Sequence, residues 1–131
     1  MNKIFEGPDH IEWADVPWTD VYRDDFHVIV YRDQYPVTEG HLLFVPKYNT
    51  MGVLKDAFED AVSEGKRMVE AGEWDGYNIG INQGQAAGQT VNWPHVHLIP
   101  RKLGDVEDPI GGVRNTIPGK GNYKSPNYRK D

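Results

Sequence analysis

The sequence predicts an α+β domain in which a mostly antiparallel five-stranded sheet is covered on one face by one long helix. Two observations lead to this prediction. Three strand-like apolar runs precede a single amphipathic stretch, and two further strand-like runs follow it. The chain has 131 residues, which is the usual size of one domain with its own core. We therefore expect a single domain spanning residues 1–131.

The first three predicted strands lie before the helix. Asp20–Arg23 and Phe26–Tyr31 are joined by two aspartates that fit a tight hairpin turn. His41–Val45 is a short apolar run of the third strand, and the loop before it contains a proline and a glycine, which favour turns. This half of the chain predicts an antiparallel meander.

The helix is predicted over Gly52–Glu70, because its apolar residues recur at spacings of three and four. Two glycines then end the pattern, and Tyr77–Ile81 and Pro94–Ile99 are the last two predicted strands. Pro94 lacks a backbone donor, which favours a sheet edge for its segment. We expect an irregular lead-in at residues 1–17 and a tail with little regular structure at residues 111–131.

Composition limits the classes of function. The net charge of -6 disfavours nonspecific binding to nucleic acid, since such binding depends on neutralising phosphates. No cysteine is present, so disulfides and thiolate metal sites are excluded. No run approaches the roughly 20 apolar residues that span a bilayer, and the first ten residues lack an apolar h-region. We expect a cytoplasmic protein without a membrane partner.

The segment WPHVHLIPR, residues 93–101, carries the strongest functional signal. Side chains alternate along a strand, so His95 and His97 share one face while Val96 and Leu98 share the other. Upstream, residues 82–91 are rich in small residues and amides, whose N–H groups can converge on an anion. A neutral imidazole can attack phosphorus near pH 7. The combination indicates phosphate chemistry with a histidine nucleophile.

The stretch Gly88–Arg101 resembles the signature of the histidine triad (HIT) hydrolases, His-x-His-x-His followed by two apolar residues. The resemblance extends to Tyr35–Lys47 and Gly104–Arg114, and it covers roughly three quarters of the chain. Within the family, the chain resembles the branch that is similar to diadenosine tetraphosphate hydrolases. One departure is clear: Trp93 stands at the first histidine position. In the family this position supports the nucleophile, so the resemblance implies that activity survives the change.

The resemblance implies a fold, a reaction and a set of residues. The fold is the HIT-like one, usually as a homodimer, and no cofactor or metal is implied. His95 matches the nucleophile, which forms a nucleotidyl-histidine, and His97 matches the group that assists the leaving oxygen. The substrate would be a dinucleoside polyphosphate such as diadenosine tetraphosphate, releasing a nucleoside monophosphate. The positions matching substrate contacts are Asn82, Gly88, Gln89 and Thr90 at the α-phosphate, Asp33 at the ribose hydroxyls, and His41 in the nucleotide pocket.

Other interpretations remain open on the sequence alone. An HxH pair can consist of two surface histidines, or it can bind zinc with His41 or a carboxylate as a third ligand. Among enzymes, the alternative is a nucleoside phosphoramidase that hydrolyses AMP linked to an amine. The replacement at Trp93 also allows a nucleotide-binding protein with little turnover.

Overall fold

A computed structural model describes residues 16–128 and confirms the predicted architecture. Within this described range, five strands form one sheet, and a single α-helix packs on it. None of the described helices is long and apolar enough to cross a membrane. The strands and the helix are β1 (Val21–Asp24), β2 (Val28–Arg32), β3 (Leu42–Pro46), α1 (Met51–Glu70), β4 (Gly76–Gly80) and β5 (Val96–Arg101).

The sheet order is β1-β2-β3-β5-β4, and every neighbouring pair is antiparallel. Strand β5, which contains His97, therefore lies inside the sheet, where His97 is opposite Leu43 of β3 and Gly80 of β4. The prediction that the segment of Pro94 lies at a sheet edge is wrong. Pro94 precedes β5, so the missing donor falls outside the ladder.

The two faces of the sheet bury different clusters. On the first face, α1 covers a core that includes Val96 and Leu98, as the alternation predicted. On the opposite face lies a smaller cluster, which contains Leu43 and an aromatic residue from before β1. The core under α1 consists of Val28, Val30, Leu42, Phe44, Ala57, Ala61, Trp74, Val96 and Leu98, and the smaller cluster of Trp18, Tyr31, Leu43 and Val45.

The helix begins one residue before the predicted start. The hydroxyl of Thr50 accepts a hydrogen bond from the backbone N–H of Val53 at 3.3 Å, which satisfies one free donor of the first turn. At the other end Gly72 adopts a positive φ of +77°, which terminates the helix close to the predicted residue. The helix bounds thus follow from capping.

The turn between β1 and β2 is longer than the predicted pair of aspartates. Asp24 belongs to β1, and the N–H of Asp25 donates to the carbonyl of Val28 at 2.9 Å. Phe26 is exposed and lies in the turn, not in a strand. An aromatic residue has high strand propensity, but the hydrogen bonding of the turn overrides it.

The terminal segments are described in part. Most of the lead-in predicted at residues 1–17 lies outside the described residues, as do residues 129–131. The tail contains a short 3-10 helix, Gly112–Thr116, which the sequence did not predict. A Cβ at Gly111 would lie 2.2 Å from the carbonyl oxygen of Gly121, so the tail folds back on itself at a point where only glycine fits.

One glycine of α1 fixes the distance between the helix and the sheet. A Cβ on Gly65 would lie 2.8 Å from the ring of Tyr77, whereas a Cβ on Gly52 would meet nothing within 4 Å. We expect Gly65→Ala to lower the free energy of unfolding by about 1–3 kcal/mol through overpacking. Gly52→Ala should leave stability unchanged or raise it by up to about 1 kcal/mol. Urea unfolding of both variants measures this, and equal effects would show that Tyr77 moves aside without cost.

Candidate active site

The histidines meet on the face of the sheet opposite α1. Val96 and Leu98 are buried under the helix, so the alternation of β5 directs His97 to the other face. His95 lies just before β5, and its ring centroid is 5.2 Å from that of His97. The predicted juxtaposition of two imidazoles at one place is confirmed.

His95 is held in one tautomer by the backbone. Its Nδ1 lies 2.9 Å from the carbonyl oxygen of Trp93, which can only accept a hydrogen bond. Nδ1 therefore carries the proton, and Nε2 keeps its lone pair. The residue is 8% exposed, and the indole of Trp18 lies against it with ring centroids 4.7 Å apart. Nε2 of His95 is thus the unprotonated nitrogen.

A chain of hydrogen bonds assigns the protons of the other two imidazoles. The backbone N–H of Val37 donates to Nδ1 of His41 at 3.2 Å, so His41 carries its proton on Nε2. That Nε2 lies 2.9 Å from Nδ1 of His97, which must accept. The proton of His97 is therefore on Nε2, a buried atom that has no partner among the described residues. His97 offers an unused N–H donor.

Burial keeps the imidazoles of His41 and His97 neutral. Burial, with the charges of His41 and His95 as smaller causes, lowers the pKa of His97 to about 4. Burial also lowers the pKa of His41, and the nearby Asp33 carboxylate opposes this shift. Near neutral pH the pair therefore acts through N–H donors and lone pairs, without positive charge.

The lowered pKa of His97 predicts an acid-sensitive fold. The unfolded chain takes up a proton at this residue near pH 6.5, while the folded protein resists it until about pH 4. The contribution of His97 to the free energy of unfolding is therefore fully present above pH 6.5. It is lost as the pH drops to about 4, which lowers the free energy of unfolding by about 3 kcal/mol. Urea unfolding between pH 7 and 4.5 should show a smaller loss in His97→Gln than in the wild type. Parallel losses would contradict this origin.

Asp33 lies beside the imidazole pair. One of its carboxylate oxygens is 3.6 Å from Nε2 of His41, and the other accepts a hydrogen bond from the N–H of Tyr35 at 2.7 Å. The second contact is an Asx turn, which orients the carboxylate from a loop. The structure thus brings Asp33, His41 and His97 together, as expected if they share one site.

The residues expected at the α-phosphate lie in two places. Asn82 is exposed and lines the same cleft as His97. Gln89 instead holds the loop, because its carbonyl oxygen accepts from the N–H of Gly84 at 2.8 Å and its amide donates to two backbone carbonyls. Gly88 adopts a positive φ of +90° and Thr90 is exposed. Gly88, Gln89 and Thr90 are not among the described residues that line the cleft.

The cleft beside His97 has a volume of about 510 Å³. Strand β4, the residues after it and the 3-10 helix of the tail form its walls. Its lining residues are Val37, His41, Asn78, Ile79, Gly80, Ile81, Asn82, His97, Ile99, Gly112, Val113, Asn115 and Thr116. It combines an apolar wall with a few polar groups, which is typical of small-molecule sites.

The geometry also bears on the metal interpretation. Ligand atoms of Asp33, His41 and His97 lie within 4.8 Å of one another, and His95 is not in this group. However, the 2.9 Å contact between the two imidazole nitrogens is a hydrogen bond with a proton between them. A metal ion at this point would need the lone pairs of both nitrogens, but Nε2 of His41 carries a proton. The hydrogen bonding therefore favours a donor and acceptor role for these imidazoles over metal coordination.

Two tryptophans complete the surroundings of His95. Trp93 donates from Nε1 to the carbonyl oxygen of Pro46 at 2.8 Å, which ties the residue at the first triad position to β3. Its own carbonyl then holds His95. Trp18 was not predicted to lie near the site, because it is 77 positions before His95 and carries no motif. A bulky aromatic before the first strand is a weak signal, and only the fold reveals the contact.

The sequence and the fold both match a known family. The model of the HIT domain matches residues 15–104 of this chain. An uncharacterized HIT-like protein of Methanocaldococcus jannaschii is 38% identical over 109 residues, which cover 78% of this chain and 84% of that protein. In solved structures, a Hit-like protein from Bartonella henselae has a TM-score of 0.61 and 26% identity, with 70% of this chain and 74% of that chain covered.

Two relatives have names that state an activity. An adenosine 5'-monophosphoramidase of Saccharomyces cerevisiae is 40% identical over 73 residues, covering 53% of this chain and 46% of that protein. A bis(5'-adenosyl)-triphosphatase of Dictyostelium discoideum is 36% identical over 80 residues, covering 56% and 54%. The matched regions span about half of each relative.

Proposed function

Because this chain belongs to the HIT domain family, we propose that it is a nucleotide hydrolase or transferase that attacks the α-phosphorus of a dinucleoside polyphosphate. Diadenosine tetraphosphate is the representative substrate, and a nucleoside monophosphate is the product. Support comes from the phosphoanhydride-cleaving relative and from the imidazoles on the open face of the sheet. We place the activity in the cytoplasm.

The observation that carries the proposal is the complementary protonation of two neighbouring imidazoles. Nε2 of His95 has a lone pair because Nδ1 donates to the Trp93 carbonyl. Nε2 of His97 has an unused N–H because its Nδ1 accepts from His41. A nucleophile and a donor at 5.2 Å between ring centroids suit an in-line displacement at phosphorus.

The reaction proceeds in two displacements. The Nε2 lone pair of His95 forms a bond to the α-phosphorus, and the bond from phosphorus to the bridging oxygen breaks with its electron pair on that oxygen. The N–H of His97 donates a hydrogen bond to the departing oxygen, since a neutral imidazole of low pKa is a donor and not a strong acid. Water then attacks phosphorus and gives a proton to solvent. The electron pair of the P–N bond returns to His95.

The remaining site residues position the substrate. Asp33 accepts from the ribose hydroxyls, because each carboxylate oxygen suits one O–H. His41 keeps His97 in the donor tautomer. Asn82 and Thr90 donate to the α-phosphate, with close approach of the backbone at Gly88. Gln89 acts by holding this loop in place.

The assembly that we infer is a homodimer. The outer side of β4 has no partner strand among residues 16–128, so this edge of the sheet can pair with a second copy. The inference rests on the resemblance to a family in which sheets join edge to edge. Sedimentation of the purified chain measures its mass in solution.

A second candidate is a nucleoside phosphoramidase, which the S. cerevisiae relative favours. The same lone pair of His95 would attack the same phosphorus, and an amine would leave in place of a polyphosphate. A third is a nucleotide-binding protein with little turnover, which the indole at Trp93 favours because it cannot titrate.

Incubation with diadenosine tetraphosphate and with an AMP-amine adduct separates these functions. We expect AMP from diadenosine tetraphosphate with a higher kcat/KM than from the adduct. The reverse preference would identify a phosphoramidase, and binding without product would identify a binding protein. Because no step needs a metal, EDTA should leave the rate nearly unchanged. Activity that is lost with EDTA and restored by zinc would move His97 and His41 to a metal site.

A further inference from the structure

The basic residues of the chain are concentrated at its carboxyl end. Residues 111–131 contain five Lys and Arg and one Asp, a net charge of +4, so residues 1–110 carry -10. A polyanionic substrate is repelled by most of this protein and needs a local positive site. The tail supplies the positive charge, and its 3-10 helix Gly112–Thr116 is one wall of the cleft beside His97.

The tail also carries a second hollow, a shallow surface depression of about 340 Å³, which is lined by Arg114, Thr116, Ile117, Lys120 and Tyr128. Thr116 lines both this hollow and the cleft of His97. A ligand chain that leaves the cleft past Thr116 therefore enters a space with two cationic side chains. Tyr128 adds an aromatic surface at its side.

Arg114 is fixed in place without loss of its charge. Its Nε donates to the carbonyl of Gly121 at 3.1 Å, one terminal nitrogen donates to the carbonyl of Lys120 at 2.9 Å, and its guanidinium lies 5.4 Å from the ring centroid of Tyr123. Within residues 16–128, neither Arg114 nor Lys120 forms an ion pair with a carboxylate. The second terminal nitrogen of Arg114 makes no hydrogen bond to the described residues. Both cations remain available to an anion.

We propose that this hollow is a subsite for the distal phosphates of a polyphosphate substrate, the part that leaves when the α-phosphorus is attacked. The proposal rests on the proposed function and deepens it, because it selects long phosphoanhydrides over AMP-amine adducts. Lys120 and Arg114 neutralise the departing polyphosphate, and Thr116 donates its hydroxyl at the boundary of the two spaces. A nucleic acid backbone has similar charge, but the body of -10 opposes a long polyanion.

The kinetic test compares substrates that differ in the distal phosphates. Lys120→Gln removes one cation and keeps the backbone carbonyl that Arg114 holds, so the tail keeps its contacts. We expect the ratio of kcat/KM for diadenosine tetraphosphate to that for the AMP-amine adduct to fall about tenfold, mostly through KM. The matched control, Lys55→Gln with Lys66→Gln, removes two exposed charges from α1. A ratio that changes equally in the control, or that stays unchanged in Lys120→Gln, would overturn the proposal.

A binding test separates this proposal from the proposed function. Calorimetry with inorganic tripolyphosphate should show a Kd that rises about tenfold in Lys120→Gln and stays unchanged in the α1 control. If the wild type binds tripolyphosphate in this way but cleaves no nucleotide, the subsite survives and the proposed function fails. If wild type does not bind tripolyphosphate, or if a short RNA binds more tightly and loses affinity in Lys120→Gln, the subsite assignment is wrong.

Discussion

Replacing His95 with alanine should lower the turnover of diadenosine tetraphosphate by about four orders of magnitude, because the change removes the atom that bonds to phosphorus. Nucleotide binding should persist, since Asp33 and Asn82 remain. Steady-state kinetics and calorimetry measure the two effects separately. A rapid alkaline quench, which preserves the P–N bond, in the presence of labelled substrate should trap a nucleotidyl adduct in the wild type and none in His95→Ala.

The matched control is His27→Ala, which removes a partly exposed histidine paired with Asp56 on α1. This variant should keep both the turnover and the adduct of the wild type. If His95→Ala retained activity within tenfold of the wild type, or if the adduct persisted, the nucleophile would be another group. Loss of activity in both variants would indicate damage to the fold instead of the chemistry.

Replacing His97 with alanine should lower kcat/KM for diadenosine tetraphosphate by about a hundredfold to a thousandfold, the usual loss when one donor to a developing oxyanion is removed. This loss should depend on the leaving group, because the N–H of His97 stabilises the departing oxygen. Adenosine 5'-(p-nitrophenyl phosphate) releases a weakly basic oxygen that needs little stabilisation. The loss on this substrate should therefore stay within about tenfold.

Comparison with His95→Ala makes the leaving-group test decisive. A missing nucleophile cannot be replaced by a better leaving group, so His95→Ala should be inactive on both substrates. If His97→Ala lost equal activity on both, its N–H would act on the attack or on binding, and not on departure of the oxygen. The assignment of leaving-group assistance would then fail.

The features that the sequence predicted are those that follow from side-chain periodicity in strands and helices. Strand alternation over the predicted segment Pro94–Ile99 placed His95 and His97 together, and spacings of three and four identified α1 to within a residue. Strand ends were off by one or two residues, because local hydrogen bonds such as that from Asp25 to Val28 decide where pairing begins. These are local properties, which a sequence expresses directly.

Contacts between distant segments were not predictable from periodicity. The contact of Trp18 with His95 depends on how the fold brings distant segments together. The same holds for the cleft that Asn82 and the 3-10 helix of the tail both line. The loop role of Gln89 also depends on carbonyls that only the folded loop presents. The chain of protons through His41 requires distances between three elements. Such features arise from tertiary packing, and residue spacing does not encode them.

The hydrogen bond from Val37 to His41 has a consequence for how the site can change during evolution. The donor that sets the protons of both imidazoles is a main-chain amide, which every residue except proline possesses. Position 37 can therefore accept many side chains. Each would change the shape of the cleft wall, while the tautomers of His41 and His97 stay the same. Substrate preference can drift at this position without disturbing the chemistry, and proline is the one substitution that selection must remove.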